Sequence, residues 1–454
     1  MRRTTTLTVL TVLSGLAGLG LAPVVGSAPA HAALACDGRP ATIVVPQTAP
    51  FPAPPPVRGT PGDDVIVGSS GDDVIEGLDG NDTICGLGGA DTIRGGEGDD
   101  RLFGGLDFYD YEDYDGDSVE PGPGDDYVDL GHDPVTEELS GGTYTWDQVS
   151  FADADGPVIV DLTAGTATGE GTDTIAPTTL VGGVEGSAFD DRITGSEQID
   201  WITAGGGDDV VDGRGGNDHI QADAPTRRLP SEETHVPGDD VVDGGDGHDE
   251  IEGGHGKDVL RGNGGRDTIR VEDGERGTRA LGGPGRDGLG SWSNLSTGKA
   301  LLLGGSGDDT FFPAIKDRQD SVVVRGGSGA DRLEPAASLK AAPHKSKVVV
   351  NARTGRVVLR LGTRIRFSSV LSFGFGGSTE TRFHFRGSDS PEVLRLTEQY
   401  GPVTATGGGG GDRLTGGWGR DLLDGGAGRD VLDGDKGRDR CLRGERLTAC
   451  EVRR

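Results

Sequence analysis

Aliphatic residues recur along this chain at a period of nine, and an aspartate stands two places before each of them. Residues 59 to 103 read as five consecutive units whose eighth places are Ile66, Ile75, Ile84, Ile93 and Leu102. Their sixth places are Asp64, Asp73, Asp82, Asp91 and Asp100. A fixed internal period of this kind decides the fold ahead of local propensity. The last three residues of a unit send one side chain inward and its two neighbours outward, as a short strand does. Glycines at the first, second and fourth places allow the positive φ that a tight turn needs. Two turn-strand halves make one coil of 18 residues holding two inward side chains, about the least a coil can bury. The pattern therefore predicts an all-β stack of coils, a parallel β-solenoid.

The period lapses and returns. One unit at "PGPGDDYVD" carries Asp126, and four from Gly186 to Gln221 offer Asp191, Asp209 and Asp218. Four more, His235 to Arg270, carry Asp240, Asp249, Asp258 and Asp267, and single units follow with Asp287, Asp309 and Asp331. Gly407 to Leu442 closes the series with Asp412, Asp421, Asp430 and Asp439. Counting the degenerate "GSDSPEVLR", the sixth place is aspartate in 21 of 22 units and Glu392 in the other. Between the arrays, "TWDQVSFADADGPVIVDLTAGTATGEGTDTI" and "KVVVNARTGRVVLRLGTRIRFSSVLSF" alternate at period two and predict β-rich spacers. "VIVDLTAGTATG" and "VVVNARTGRVVL" line up, so the second spacer is a diverged copy of the first, with Asn351 where the first has Asp161. With Glu392 beside it, this copy is expected to keep its coil and lose its cation. The chain then divides into a leader (1–32), a proline-rich arm or cap (33–58), a roll (59–103), an acidic insert with one unit (104–142), and a spacer plus roll (143–221). An insert (222–234), an interrupted roll (235–334), a basic spacer (335–406), a final roll (407–442) and a C-terminal cap (443–454) complete it.

Composition changes this picture in one respect. With 84 glycines, 33% hydrophobic and 5% aromatic residues, no large conventional core is available. The 75 acidic residues face 43 basic ones, and stacking at about 4.8 Å sets Asp64 against Asp82, Asp73 against Asp91 and Asp82 against Asp100. Unpaired carboxylates at that spacing push the stack open. A divalent cation that takes six to eight oxygens in loose geometry turns the repulsion into attraction; Ca²⁺ suits this, whereas Mg²⁺ demands stricter geometry and keeps its waters. Every sixth-place aspartate named above is therefore a candidate calcium ligand.

The units match GGxGxDxUx, and in this the chain resembles the RTX, or haemolysin-type, calcium-binding repeat proteins. The resemblance implies a parallel β-roll with several Ca²⁺ ions between successive turns, loaded outside the cell. The opening "ACDGRPATIV", Cys85 and the closing "GRDRCLRGERLTACE" are similar to secreted calcium-binding proteins of high-GC Gram-positive bacteria. Two features depart from the family: the export signal is N-terminal, and no separate effector domain is recognisable.

The leader has Arg2 and Arg3, an apolar run from Leu7 to Leu21 and the small-residue end "SAPAHA", which read as a cleaved secretory signal. No stretch reaches a membrane-spanning length. "ALAC" resembles a lipoprotein cleavage box only faintly, since Ala33 stands where leucine is usual. Four cysteines in the mature part suit an oxidising exterior. Of three possible pairings, Cys36 with Cys85 and Cys441 with Cys450 would tie down the two ends. Neither HExxH nor GxSxG occurs, so no enzyme is expected; a secreted hydrolase, the alternative, would have to keep its active site in the spacers at 143–185 or 335–406. His248 and His255 occupy variable places and read as surface residues, and "DFYDYEDYDGDSVE" as a solvated acidic loop. The eight Lys or Arg from Lys340 to Arg366 balance the acidic field and call for no nucleic acid. Arg420, Arg429 and Arg438 precede ligand aspartates where early units have Asp63, Asp72 and Asn81, so the last array is expected to bind Ca²⁺ more weakly. Acid near the carboxylate pKa of about 4 is expected to release the metal and melt the rolls. Together these features predict a secreted, extracellular calcium-binding protein with a structural or interaction role and cell-surface or matrix partners.

Overall fold

The computed structural model describes residues 34–46, 56–105, 116–131, 147–177, 181–223, 238–271, 277–291, 299–314, 321–334, 347–359, 364–368, 370–375, 382–396 and 401–453. The leader, most of the acidic insert, most of 222–234 and part of the basic stretch lie outside them.

Coils of 18 residues stack in the register that the repeat predicts. Ile66 lies opposite Ile84 and Ile84 opposite Leu102 in one parallel sheet, while Ile75 lies opposite Ile93 in the other. The two sheets form the two walls of the solenoid, and each eighth-place side chain points between them. Ile66, Ile75, Ile84, Ile93 and Leu102 are all fully buried. The same inward row continues through Val128, Val211 and Leu260 to larger residues, Phe311, Phe373 and Phe385, in the later coils. The core falls into two clusters, one spanning Val45 to Leu130 and one Val149 to Cys441. Among the described residues the only helical element is a 3-10 turn, Ala352–Thr354, and no helix is long and apolar enough to cross a membrane.

Insertions leave the register intact. Ile93 pairs with Val119 and Leu102 with Val128, 26 residues on, and Val211 pairs with Val242, 31 residues on. Sliding by one residue would turn every inward aliphatic outward, so the described strands keep their register whatever length of chain joins them.

Both spacers build one topology, which period-two alternation alone did not reveal. Ile159–Asp161, Thr166–Thr168 and Thr172–Ile175 form an antiparallel meander whose last strand lies parallel to the preceding coil and whose first lies parallel to the next. Lys347–Asn351, Arg356–Leu359 and Arg364–Ser368 repeat that order. Asp161 and Asn351 do the same work at corresponding positions: Oδ1 accepts the N–H three residues on, at 2.8 Å from Ala164 and 3.0 Å from Thr354. The exchange of Asp161 for Asn351 thus conserves a turn acceptor, and it is not by itself a sign of a lost cation.

The ends are closed as the cysteines suggested. An antiparallel pair, Ala35–Cys36 with Arg39–Pro40, is joined to the second coil by Cys36–Cys85, and Cys441–Cys450 ties the last turns. We predict that Ile84→Ala, which empties one inward position, lowers the stability of the calcium-loaded protein by about 2–5 kcal/mol. Asp79→Ala, on the exposed side of the same coil, is expected to stay within about 0.5 kcal/mol. Denaturant midpoints measured by circular dichroism check both.

Candidate metal centre

The sixth-place aspartates form inner rows along both edges of the solenoid, and each edge starts a new row after each spacer. In each row Oδ1 of one aspartate accepts the backbone N–H of its counterpart in the preceding coil. On one edge Asp64 donates to Asp82 at 2.8 Å, Asp82 to Asp100 at 2.7 Å and Asp100 to Asp126 at 2.7 Å. On the other, Asp73 donates to Asp91 at 2.8 Å. Later coils repeat the contact from Asp191 to Asp209, Asp209 to Asp240 and Asp240 to Asp258. The opposite edge carries it from Asp218 through Asp249, Asp267, Asp287 and Asp309 to Asp331. In the last array Asp412 meets Asp430 and Asp421 meets Asp439. Neighbouring carboxylates thus approach face to face as the repeat arithmetic requires, and each is anchored by a backbone amide.

The rows contain members beyond those chosen from the sequence. Asp117 accepts from Asp91 at 2.8 Å and donates to Asp147, Asp126 donates to Asp173, and Asp200 donates to Asp218. All four residues are nearly fully buried. Asp117 ends the segment expected to be a solvated loop; the surviving signal was an aspartate two places before Val119, as also before Val149 and Ile175.

A second, outer row runs beside the first in the opposite sense. Fifth-place side chains accept N–H groups from the following coil: Asp63 from Asn81 at 3.0 Å, Asp72 from Ala90 at 3.1 Å and Asp99 from Asp125 at 3.1 Å. His248 fills such a place, its Nδ1 accepting from Arg266 at 2.9 Å, so it is a rung of the ladder as well as a surface residue. The Asp-Asp dipeptides of the repeats therefore serve two reciprocal ladders.

The second carboxylate oxygen of the inner row carries the chemistry. Oδ2 of Asp82, Asp100, Asp126, Asp209, Asp218 and Asp249, among others, is buried without a hydrogen-bond donor. A buried anionic oxygen with no partner is costly. At Gly77 an added Cβ would lie 2.3 Å from Asp82 Oδ2 and 2.4 Å from the carbonyl oxygen of Gly95 in the next coil. Position 77 must therefore be glycine, and it leaves a pocket walled by a carboxylate and a carbonyl oxygen. Among the described residues no three Asp, Glu, His or Cys side chains converge, so a cation here takes one or two carboxylates and completes its shell with backbone carbonyls. An oxygen-rich, loosely shaped donor set of this kind fits Ca²⁺.

With no cation bound, burial pushes these carboxyls far above the usual range, and neighbouring carboxylates add to the effect. Asp126, Asp209, Asp218 and Asp240 rise to about 8, Asp100, Asp267 and Asp412 to about 7, and Asp82 to about 6. At Asp64 the burial penalty is outweighed by hydrogen bonds from Thr60 and Thr42, which hold it below the usual value. A carboxyl whose pKa is raised by folding stabilises the fold below its unfolded pKa of about 4, and that contribution is lost as pH rises through about 6 to 8. Without a cation, protonation thus relieves the rows, whereas the melting near pH 4 expected from sequence concerns the calcium-loaded rolls. We predict that in chelator the β signal in circular dichroism is larger at pH 5 than at pH 8. Calcium affinity is expected to fall as pH drops from 8 to 5, because protons compete for the same oxygens.

A family model for the RTX calcium-binding nonapeptide repeat matches residues 58–93, 86–108, 185–220, 236–269 and 406–441. No curated protein matches the chain. The matched segments are those whose inner rows have just been described, and such repeats bind Ca²⁺ at multiple sites. By its repeats and by the parallel solenoid they build, the chain is an RTX-repeat protein.

Proposed function

We propose that this protein is secreted, orders its rolls on meeting extracellular Ca²⁺, and serves as a structural or interaction component of the cell exterior rather than as an enzyme. The observation that carries the reading is the row of buried carboxylate oxygens without donors, repeated coil after coil. Burial and like charge oppose ionisation of these oxygens and a bound cation offsets both, so cation binding and folding become one event. The N-terminal leader supports export, and two disulfides suit an oxidising exterior. An affinity near about 10⁻⁴ to 10⁻³ M, common in extracellular calcium modules, would leave the chain loose inside the cell. The last array is the weaker binder in this reading, because Arg420, Arg429 and Arg438 put positive charge beside Asp421, Asp430 and Asp439. The exposed fifth-place acids give the folded rod a surface for cationic cell-surface or matrix partners.

A calcium titration at pH 7.5 followed by circular dichroism tests this. A cooperative gain of β signal is expected with Ca²⁺ and little with Mg²⁺. Equal order in excess EGTA would refute the reading.

A further inference from the structure

The turns come in two states, and their distribution is regular. In the open state the second-place residue has positive φ: Leu78 at 87°, Gly96 at 112°, Gly205 at 113°, Arg214 at 71°, Gly245 at 104° and Asn263 at 64°. In each of these turns Oδ2 of the sixth-place aspartate has no donor. Leu78 and Arg214 tolerate a conformation that costs an L-residue of order 1 kcal/mol or more. Gly96 sits so close to the coil beneath that a Cβ would lie 1.9 Å from the Leu78 carbonyl oxygen.

In the closed state the second-place φ is not positive, and its N–H turns inward onto the acid of its own turn. Thr60 donates to Asp64 Oδ2 at 2.6 Å, Ser69 to Asp73 at 2.6 Å, Ser187 to Asp191 at 2.5 Å and Ser196 to Asp200 at 2.5 Å. Ser388 donates to Glu392 at 3.0 Å and Gly417 to Asp421 at 2.7 Å. Five of the six second places are Ser or Thr. Their hydroxyls add bonds, as from Ser187 Oγ to Asp191 at 2.8 Å and from Thr60 Oγ1 to Asp64 at 2.9 Å.

The six closed turns are the first of their rows. Asp64 and Asp73 open the two edges of the first array, Asp191 and Asp200 the edges after the first spacer, and Glu392 and Asp421 the edges after the second. An open turn rests its second place on the second-place carbonyl of the turn below, and among the described residues no such turn lies below a row-starting one. It closes on itself and becomes the platform for the next: Gly206 N–H bonds the Ser187 carbonyl at 3.0 Å, and Gly409 N–H that of Ser388 at 2.9 Å.

We propose that five of these turns, those of Asp64, Asp73, Asp191, Asp200 and Asp421, stand outside the calcium complement, a backbone N–H holding the carboxylate oxygen that a cation engages in the open turns; at Glu392 Ser388 holds Oε1 and Oε2 is left without a donor. The proposal rests on the calcium reading above and sets where each row of ions begins. It takes Asp64, Asp73, Asp191 and Asp421 out of the ligand set that the repeat pattern alone suggests, and with them Asp200.

Equilibrium dialysis with radioactive calcium on the full chain tests it. Asp100→Asn and Asp218→Asn, in open turns, are expected to lower the ions bound at saturation by at least one each. Asp73→Asn and Asp200→Asn, in closed turns, are expected to leave the wild-type number. Loss of calcium from Asp73→Asn equal to that from Asp100→Asn overturns the proposal. Should a variant fail to fold, wild-type crystals soaked in a lanthanide decide the matter. Anomalous peaks are expected beside Asp100 and Asp218 and absent beside Asp73 and Asp200; a peak bound to Asp73 or Asp200 overturns it. A wild-type chain that binds no calcium at all refutes the underlying reading instead.

Discussion

The structure turns on an oxygen that the polypeptide does not satisfy. Within each row, one oxygen of an aspartate is held by the amide of its counterpart in the coil below, which fixes the side chain and the spacing of the coils together. The other is buried beside a glycine carbonyl, and in the open turns the chain brings it no donor. Burial and like charge both oppose the ionised form, so the carboxyls of the central coils keep their protons into the neutral range unless a cation displaces them. Fold and metal are thereby coupled through the same atoms, and neither is separable from the glycines that let backbone and carboxylate approach.

The outer row plays a different part. Its Asp, Asn and His acceptors bond forward to the next coil while the inner row bonds backward, so a dipeptide with such an acceptor at its fifth place is stitched to both neighbours. The outer oxygens remain in water, where charge is screened and ordinary hydrogen bonding suffices. The two consecutive acids of a repeat are chemically alike and differ only in burial, and that difference divides their roles.

Much of this was legible in the sequence because the repeat is its own ruler. A nine-residue period with aspartate and an aliphatic at fixed places dictates 18-residue coils, the pairing of Ile66 with Ile84 and the approach of Asp64 to Asp82. The cysteine pairs followed from the wish to close two open ends. What escaped was whatever lacked the glycines. Asp117, Asp147 and Asp173 sit in the rows on turns too divergent for the motif, with only an aspartate two places before an aliphatic to mark them. The meanders escaped because period-two alternation describes a strand without fixing its direction. The closed turns were also hidden, since Ser at a second place looks like any other variable residue until its amide is seen to face the acid.

The constancy of register across insertions has a geometric corollary. A coil made from 18 residues and one made from 31 each raise the stack by one strand spacing, about 4.8 Å. Axial length therefore counts windings and not residues. Segments of very different size can thus be hung along the shaft at intervals measured in whole windings, without altering the distance between its ends.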